Sequence, residues 1–101
     1  MDYTSIHQGH SLTIVLTGDM LALSHETFRQ IMNEVIAVQP TECILDIANV
    51  SFMDSGGLGM LLLARDTFAA KGIALIIRRP TGAVKRLLNL AKFDQLLKIE
   101  E

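Results

Sequence analysis

Tryptophan is absent from this chain, and aromatic residues of any kind make up only 5% of it. A core must therefore come from Leu, Ile, Val, Ala and Met. These are plentiful, since half of the 101 residues are hydrophobic. Cysteine occurs once, at Cys43, so no internal disulfide is possible. Within the apolar run Cys43-Ile44-Leu45 it reads as a small buried filler rather than a nucleophile. Positive charge is not in excess either. The formal net charge is −2, which removes the electrostatic case for nucleic acid as a partner. No apolar stretch approaches the ~18 residues of a membrane span, so no membrane insertion is expected. The N-terminus, Met1-Asp2-Tyr3, lacks the basic and apolar regions of a signal peptide. These absences predict a cytoplasmic protein, and the length suits one domain over residues 1–101.

What is present is an ordered alternation. Leu12–Thr17 is rich in β-branched residues and begins by alternating apolar with polar, so it reads as a strand. Tyr3–His7 is placed to pair with it across a turn containing Gly9. Gly18 and Asp19 break the pattern, and Ser24 reads as the N-cap of a helix. Phe28, Ile31, Met32, Val35 and Ile36 form its apolar stripe, and Pro40 stops it. Cys43–Ala48 reads as a central strand buried on both faces. After the Ser51–Gly59 loop a helix runs to about Ala70 and ends at Lys71-Gly72. Ile73–Ile77 is a further buried strand. Pro80 and Thr81 start a third helix, with Val84, Leu87, Leu88 and Ala91 on one face. Phe93–Leu97 reads as a final short helix or turn, and Ile99–Glu101 as a tail. This order implies an α/β fold with a mostly parallel sheet and helices packed on it.

The segment Ser51-Phe-Met-Asp-Ser-Gly-Gly-Leu-Gly59 carries the chemistry. Asp54 and Ser55 stand between an apolar strand and an apolar helix. Gly56 and Gly57 then occupy the first helical turn, where glycine costs about 1 kcal/mol relative to alanine in a helix interior. Three readings of Ser55 follow. It can be a plain N-cap, worth about 1 kcal/mol. It can be a phosphorylation site, at a helix start where the dipole tolerates added negative charge. Or the loop can bind the phosphate of a ligand, with the glycines leaving backbone N–H groups open. The last reading lacks support from a P-loop, because Met60 and Leu61 follow Gly59 and no lysine is near. A nucleophile elbow would need glycine where Met53 stands. His7, His10 and His25 lie early in the chain and have no metal-ligand spacing. Neither an enzyme nor a bound cofactor or metal is expected. The helix beyond Ser55 is apolar nearly all round in its first half. Gly57, Met60 and Ala64 are expected to leave a small apolar patch beside Ser55 for a partner protein.

Together these residues resemble a STAS domain, the fold of anti-sigma factor antagonists, over almost the whole chain. Leu16-Thr17-Gly18 resembles the end of the family's second strand, and Ile44-Leu45-Asp46-Ile47 its central strand. Val50–Gly59 resembles its signature loop. Pro80, Val84, Leu87, Leu88 and Phe93 resemble its C-terminal section. The resemblance implies a mixed, mostly parallel sheet of four to five strands with about four helices. It also implies a partner switch. The serine after the loop aspartate, here Ser55, is phosphorylated by a partner that is both anti-sigma factor and serine kinase. The unphosphorylated protein binds that partner and frees its client. The phosphorylated form releases it, and a metal-dependent serine phosphatase restores binding. ATP and metal belong to those partners, and the domain is expected to work as a monomer.

The residues expected to meet the partner are Asp54, Gly56, Gly57, Leu58, Gly59, Met60 and Asp19. Two positions depart from the family pattern. Gly56 replaces a common second Ser, Thr or Ala, and Leu21 replaces the usual aspartate after the second strand, with Asp19 two residues away. A different class of function also resembles stand-alone STAS domains: an accessory subunit of a lipid-transport ATPase complex. The Asp54-Ser55 pair favours the switch.

Overall fold

The computed structural model describes residues 1–101. Strands β1 (Asp2–Gln8) and β2 (Ser11–Thr17) form an antiparallel hairpin whose two-residue turn, Gly9-His10, has Gly9 at φ +58°. Helix α1 (His25–Val38) follows, then β3 (Glu42–Asn49), helix α2 (Ser55–Ala69), β4 (Ala74–Arg78), helix α3 (Gly82–Leu90) and β5 (Lys98–Glu100). Single 3₁₀ turns occupy Ala22–Ser24 and Phe93–Gln95.

The sheet runs in the order β1-β2-β3-β4-β5. Only the β1–β2 pairing is antiparallel; β2, β3, β4 and β5 are mutually parallel. Parallel neighbours joined in sequence by right-handed crossovers place their helices on one face. The core agrees. Leu12, Ile14 and Leu16 of β2, Cys43, Leu45 and Ile47 of β3, and Leu75 and Ile77 of β4 share one cluster with residues of all three helices. Those from the helices include Phe28, Ile31, Val35, Leu61, Ala64, Phe68, Val84 and Leu88.

The alternate strand residues point to the other face. Ile44 and Asp46 are nevertheless buried there, so Cys43–Ile47 is buried on both faces as its run of apolar residues predicts. No second helical layer achieves this. Ile44 lies between Thr13 and Ile76 in the register, and Asp46 is held by the Arg79 guanidinium and by the Ala48 N–H at 3.1 Å. Burial alone would raise the Asp46 pKa. The hydrogen bonds from Arg79 and Ala48 and the charges of Arg79 and Arg78 outweigh it and lower the value.

Three details differ from the sequence reading. The chain has three α-helices rather than about four. Phe93–Gln95 makes only a single 3₁₀ turn, because Lys92 has left-handed backbone (φ +57°) and interrupts the run from α3. The expected tail forms β5, where Arg78 pairs with Glu100 at 3.2 Å and the Arg79 N–H donates to the Glu100 carbonyl at 2.7 Å. Ser24 precedes α1, but its hydroxyl does not cap the helix. It accepts from the Leu21 N–H at 3.2 Å and donates to the Asp19 carbonyl at 3.3 Å, closing the turn before α1.

Candidate functional site

The β2–α1 and β3–α2 loops leave the carboxyl ends of adjacent parallel strands, the position where open α/β sheets place their sites. They run side by side. Gly18 N–H donates to the Asn49 carbonyl at 3.2 Å and Met20 N–H to the Phe52 carbonyl at 2.9 Å. Met20 and Met53 form an isolated parallel bridge and are both buried. The two loops therefore behave as a single ledge, with α2 starting from its inner side.

Asp54 joins the ledge to the helix. One carboxylate oxygen accepts the Gly57 N–H at 2.9 Å and is the true N-cap of α2. The other accepts the Ala22 N–H at 3.2 Å, across from the neighbouring loop. Hydrogen bonds from Gly57 and then Ala22 hold the Asp54 pKa below the ordinary carboxylate value, so it remains an anion. The capping role that the sequence suggested for Ser55 thus belongs to the residue before it. Ser55 is the first residue of α2, exposed, with no hydrogen bond engaging its hydroxyl.

The glycines have a different task from the one their spacing suggested. A Cβ on Gly56 would lie 2.5 Å from the Ala22 Cβ and 2.7 Å from its Cα. A Cβ on Gly57 would overlap the Met20 carbonyl oxygen and stand 2.5 Å from the Met53 Cγ. Both glycines let α2 approach the β2–α1 loop closely enough for Asp54 to bridge the two. Open access to the helix start describes only Gly59, which is exposed and has nothing within 4 Å of a Cβ.

The apolar patch also moves. Gly57 and Ala64 are buried and Met60 is only 8% exposed, so they do not form a surface patch. The exposed apolar side chains on the neighbouring elements are Leu23 on the 3₁₀ turn, Phe52 on the ledge and Leu63 on α2, at 91%, 52% and 56%. Leu58 is half-buried. Asp19 is exposed and contributes its backbone carbonyl to Ser24, with its side chain left free. Phe52 also lines a cleft of about 300 Å³ with Met53 and the α3 residues Ala83, Arg86, Leu87 and Leu90. A second groove of about 270 Å³ lies between α1 and α2, where His25 and Arg29 face Met60 and Leu63. Sequence periodicity did not single out Leu23 or Phe52. Their sign is large apolar residues inside predicted loops, a signal that only exposure makes legible.

His7 and His10 lie by the β1–β2 turn, at the opposite end of β2 from Ser55. No group of three His, Cys, Asp or Glu side chains could hold a metal ion. No helix is long and apolar enough to cross a membrane. The arrangement offers one free hydroxyl at a helix start, beside an anchored carboxylate.

A family model for the STAS domain matches residues 3–101. The chain belongs to the STAS domain family. This STAS domain is 33% identical to a STAS-domain containing protein of Pseudomonas aeruginosa, over 90% of this chain and 89% of that one. It is 28% identical to the anti-sigma F factor antagonist of Paenibacillus polymyxa, over 92% and 80% respectively. Its fold is similar to the anti-sigma factor antagonist SpoIIAA. The unphosphorylated form aligns with a TM-score of 0.71 at 20% identity, covering 99% of this chain and 87% of that one. The phosphorylated form from Bacillus aligns at 0.68 and 20% identity, covering 97% and 90%. These likenesses account for the fold: five strands in a mixed sheet with three α-helices.

Proposed function

We propose that this STAS domain is an anti-sigma factor antagonist, regulatory rather than enzymatic, that switches partners through the phosphorylation state of Ser55. The observation that carries the reading is the exposed Ser55 hydroxyl, unbonded at the first position of α2 because Asp54 does the capping. An anti-sigma factor with serine kinase activity would transfer the γ-phosphoryl group of its ATP to the Ser55 oxygen and keep the ADP. A metal-dependent serine phosphatase would return the hydroxyl by hydrolysis.

The physics of the gate follows from the surroundings. The positive end of the helix dipole tolerates added negative charge at Ser55, and the exposed hydroxyl lies outside the packed core, so the fold survives modification. Leu23 on the 3₁₀ turn, Phe52 in the cleft against α3 and Leu63 in the groove against α1 supply exposed apolar area on separate elements. A phosphate on Ser55 must be desolvated, or must hold the partner away, before a partner can cover the start of α2. The unphosphorylated form therefore binds the kinase and frees its client, and the phosphorylated form lets go. Asp54, Gly56, Gly57, Leu58, Gly59, Met60 and Asp19 belong to this region. Gly56 and Gly57 shape it by close packing, whereas Gly59 and Asp19 are open to contact.

The test is the intact mass of the protein isolated from its native cells, with and without phosphatase, with the site mapped. The expected result is a phosphatase-sensitive phosphate on Ser55. Its absence under every growth and stress condition would refute the switch.

A further inference from the structure

The two edges of the sheet are treated differently. The β5 edge is three residues long and carries Lys98 and Glu100, with Arg78 paired to Glu100. Short, charged edges resist pairing with another chain. The β1 edge is seven residues long and pairs with β2 residue for residue, without a bulge. It contains no Lys, Arg or Pro, and its Ile6 is 45% exposed. Its one charged residue is Asp2 at the strand's start, and no element lies beyond it.

Which backbone groups are open follows from the hairpin. The two-residue turn makes Gln8 and Ser11 a hydrogen-bonded pair. Such pairs alternate along an antiparallel ladder, so Ile6, Thr4 and Asp2 also turn their N–H and C=O groups toward β2. The groups of Tyr3, Ser5 and His7 face away from the sheet.

We propose that β1 is a self-association edge, and that two copies of this chain join there by antiparallel β1–β1 pairing about a two-fold axis at Ser5. A second copy is the occupant because the strand is complementary to itself in this register. Ser5 meets Ser5 of the second copy, and Tyr3 meets its His7. Thr4 meets Ile6, and Asp2 meets Gln8. No like charges stand directly opposite, and the β-branched Thr4–Ile6 pairs fall on the helix-free face. Every outward N–H and C=O of Tyr3, Ser5 and His7 gains a partner, and the interface is isologous and closes. The opposing effect is the approach of two Glu34 carboxylates. Each already accepts from its own Ser5 and Tyr3 hydroxyls on the α1 side. Salt at physiological strength weakens that repulsion without removing it.

Sedimentation of the full chain across a dilution series, at physiological ionic strength, tests this. The average mass is expected to rise from 11.1 kDa toward twice that value with concentration. Ile6→Lys places a cation on the edge, and His7→Pro removes an outward N–H while sparing the bonds to β2. Both variants are expected to stay at the chain mass with an unchanged circular dichroism spectrum. Ile6→Lys decides the matter if His7→Pro fails to fold. Ser5→Cys is expected to form a disulfide-linked dimer on oxidation faster than Thr4→Cys, because only residue 5 meets itself at the axis. Wild-type protein that stays at the chain mass throughout, or an Ile6→Lys variant that associates as the wild type does, overturns the proposal. So does faster linkage through Thr4→Cys than through Ser5→Cys.

Discussion

Alanine at Gly57 and alanine at Gly59 should move stability in opposite directions, although the two residues sit two positions apart on one helix. At Gly57 the added methyl meets the Met20 carbonyl oxygen and the Met53 side chain, both of them in the buried bridge between the loops. Forcing an extra methyl group into packed surroundings costs about 1–3 kcal/mol. Alanine's helix preference over glycine returns at most about 1 kcal/mol, and less in a first turn. The net loss is about 1–2 kcal/mol, which for a domain of this length lowers Tm by roughly 4–16 °C. At Gly59 a Cβ has nothing within 4 Å, so only the propensity change acts. That gain is about 0.5–1 kcal/mol, or roughly 2–8 °C in Tm. Thermal unfolding followed by circular dichroism reads both. The Gly57→Ala variant should also lose amide protection at Ala22, because displacing α2 stretches the Asp54 bridge. A Gly57→Ala protein that melts with or above the wild type would refute the close-packing account. The glycines would then be read as providing access to the helix start.

Ser55→Ala should change stability by less than about 0.5 kcal/mol, since the hydroxyl bonds nothing in the protein. Ser55→Asp should fold equally well but lose affinity for the kinase partner in a binding titration; equal affinity of the two variants would count against the switch. Asp54→Ala, unlike Ser55→Ala, should lower Tm measurably and speed amide exchange at Gly57 and Ala22. Asp46 and Asp54 both have lowered pKa values in the folded protein. Their stabilisation is therefore complete above the ordinary carboxylate range near pH 4 and is lost as pH falls through the lower folded values. An acid titration of Tm should show that decline, and Asp46→Asn should flatten it. Burial pushes the Cys43 thiol up to about 12, so it should react with a thiol reagent only after denaturant unfolds the chain.

Most of the elements could be read from the residues because their signals are local. The i, i+3, i+4 stripe of Phe28, Ile31, Met32 and Val35 identifies α1, and Gln39 with left-handed backbone just before Pro40 ends it where the proline suggests. The apolar run at Cys43–Ile47 is a strand buried on both faces. Lys98–Glu100 defeated the same approach. Three residues carry too little pattern to identify a strand, and β5 is defined by its parallel pairing with β4, to which the contacts of Arg78 and Arg79 with Glu100 add. The count of about four helices is one too high, and Phe93–Leu97, read as a short helix or turn, is the turn. Apolar residues at Phe93, Leu96 and Leu97 suggest a helix, but the left-handed Lys92 leaves room for one turn only.

At the site, the sequence by itself determined that an acid, a serine and two glycines would open a helix after a buried strand. It also determined that the family would be STAS, because that segment is contiguous and its spacing survives without a fold. Tertiary structure alone decided what each residue does. Asp54 caps the helix because Ala22, 32 positions earlier, offers its second hydrogen bond and holds the carboxylate in place. Ser55 is left free by that arrangement. Gly56 and Gly57 are small because Ala22 and Met20 lie against them. The physical reason is the same in each case: these roles are contacts between two loops that share no sequence proximity, and they come together only when β2 and β3 pair in register.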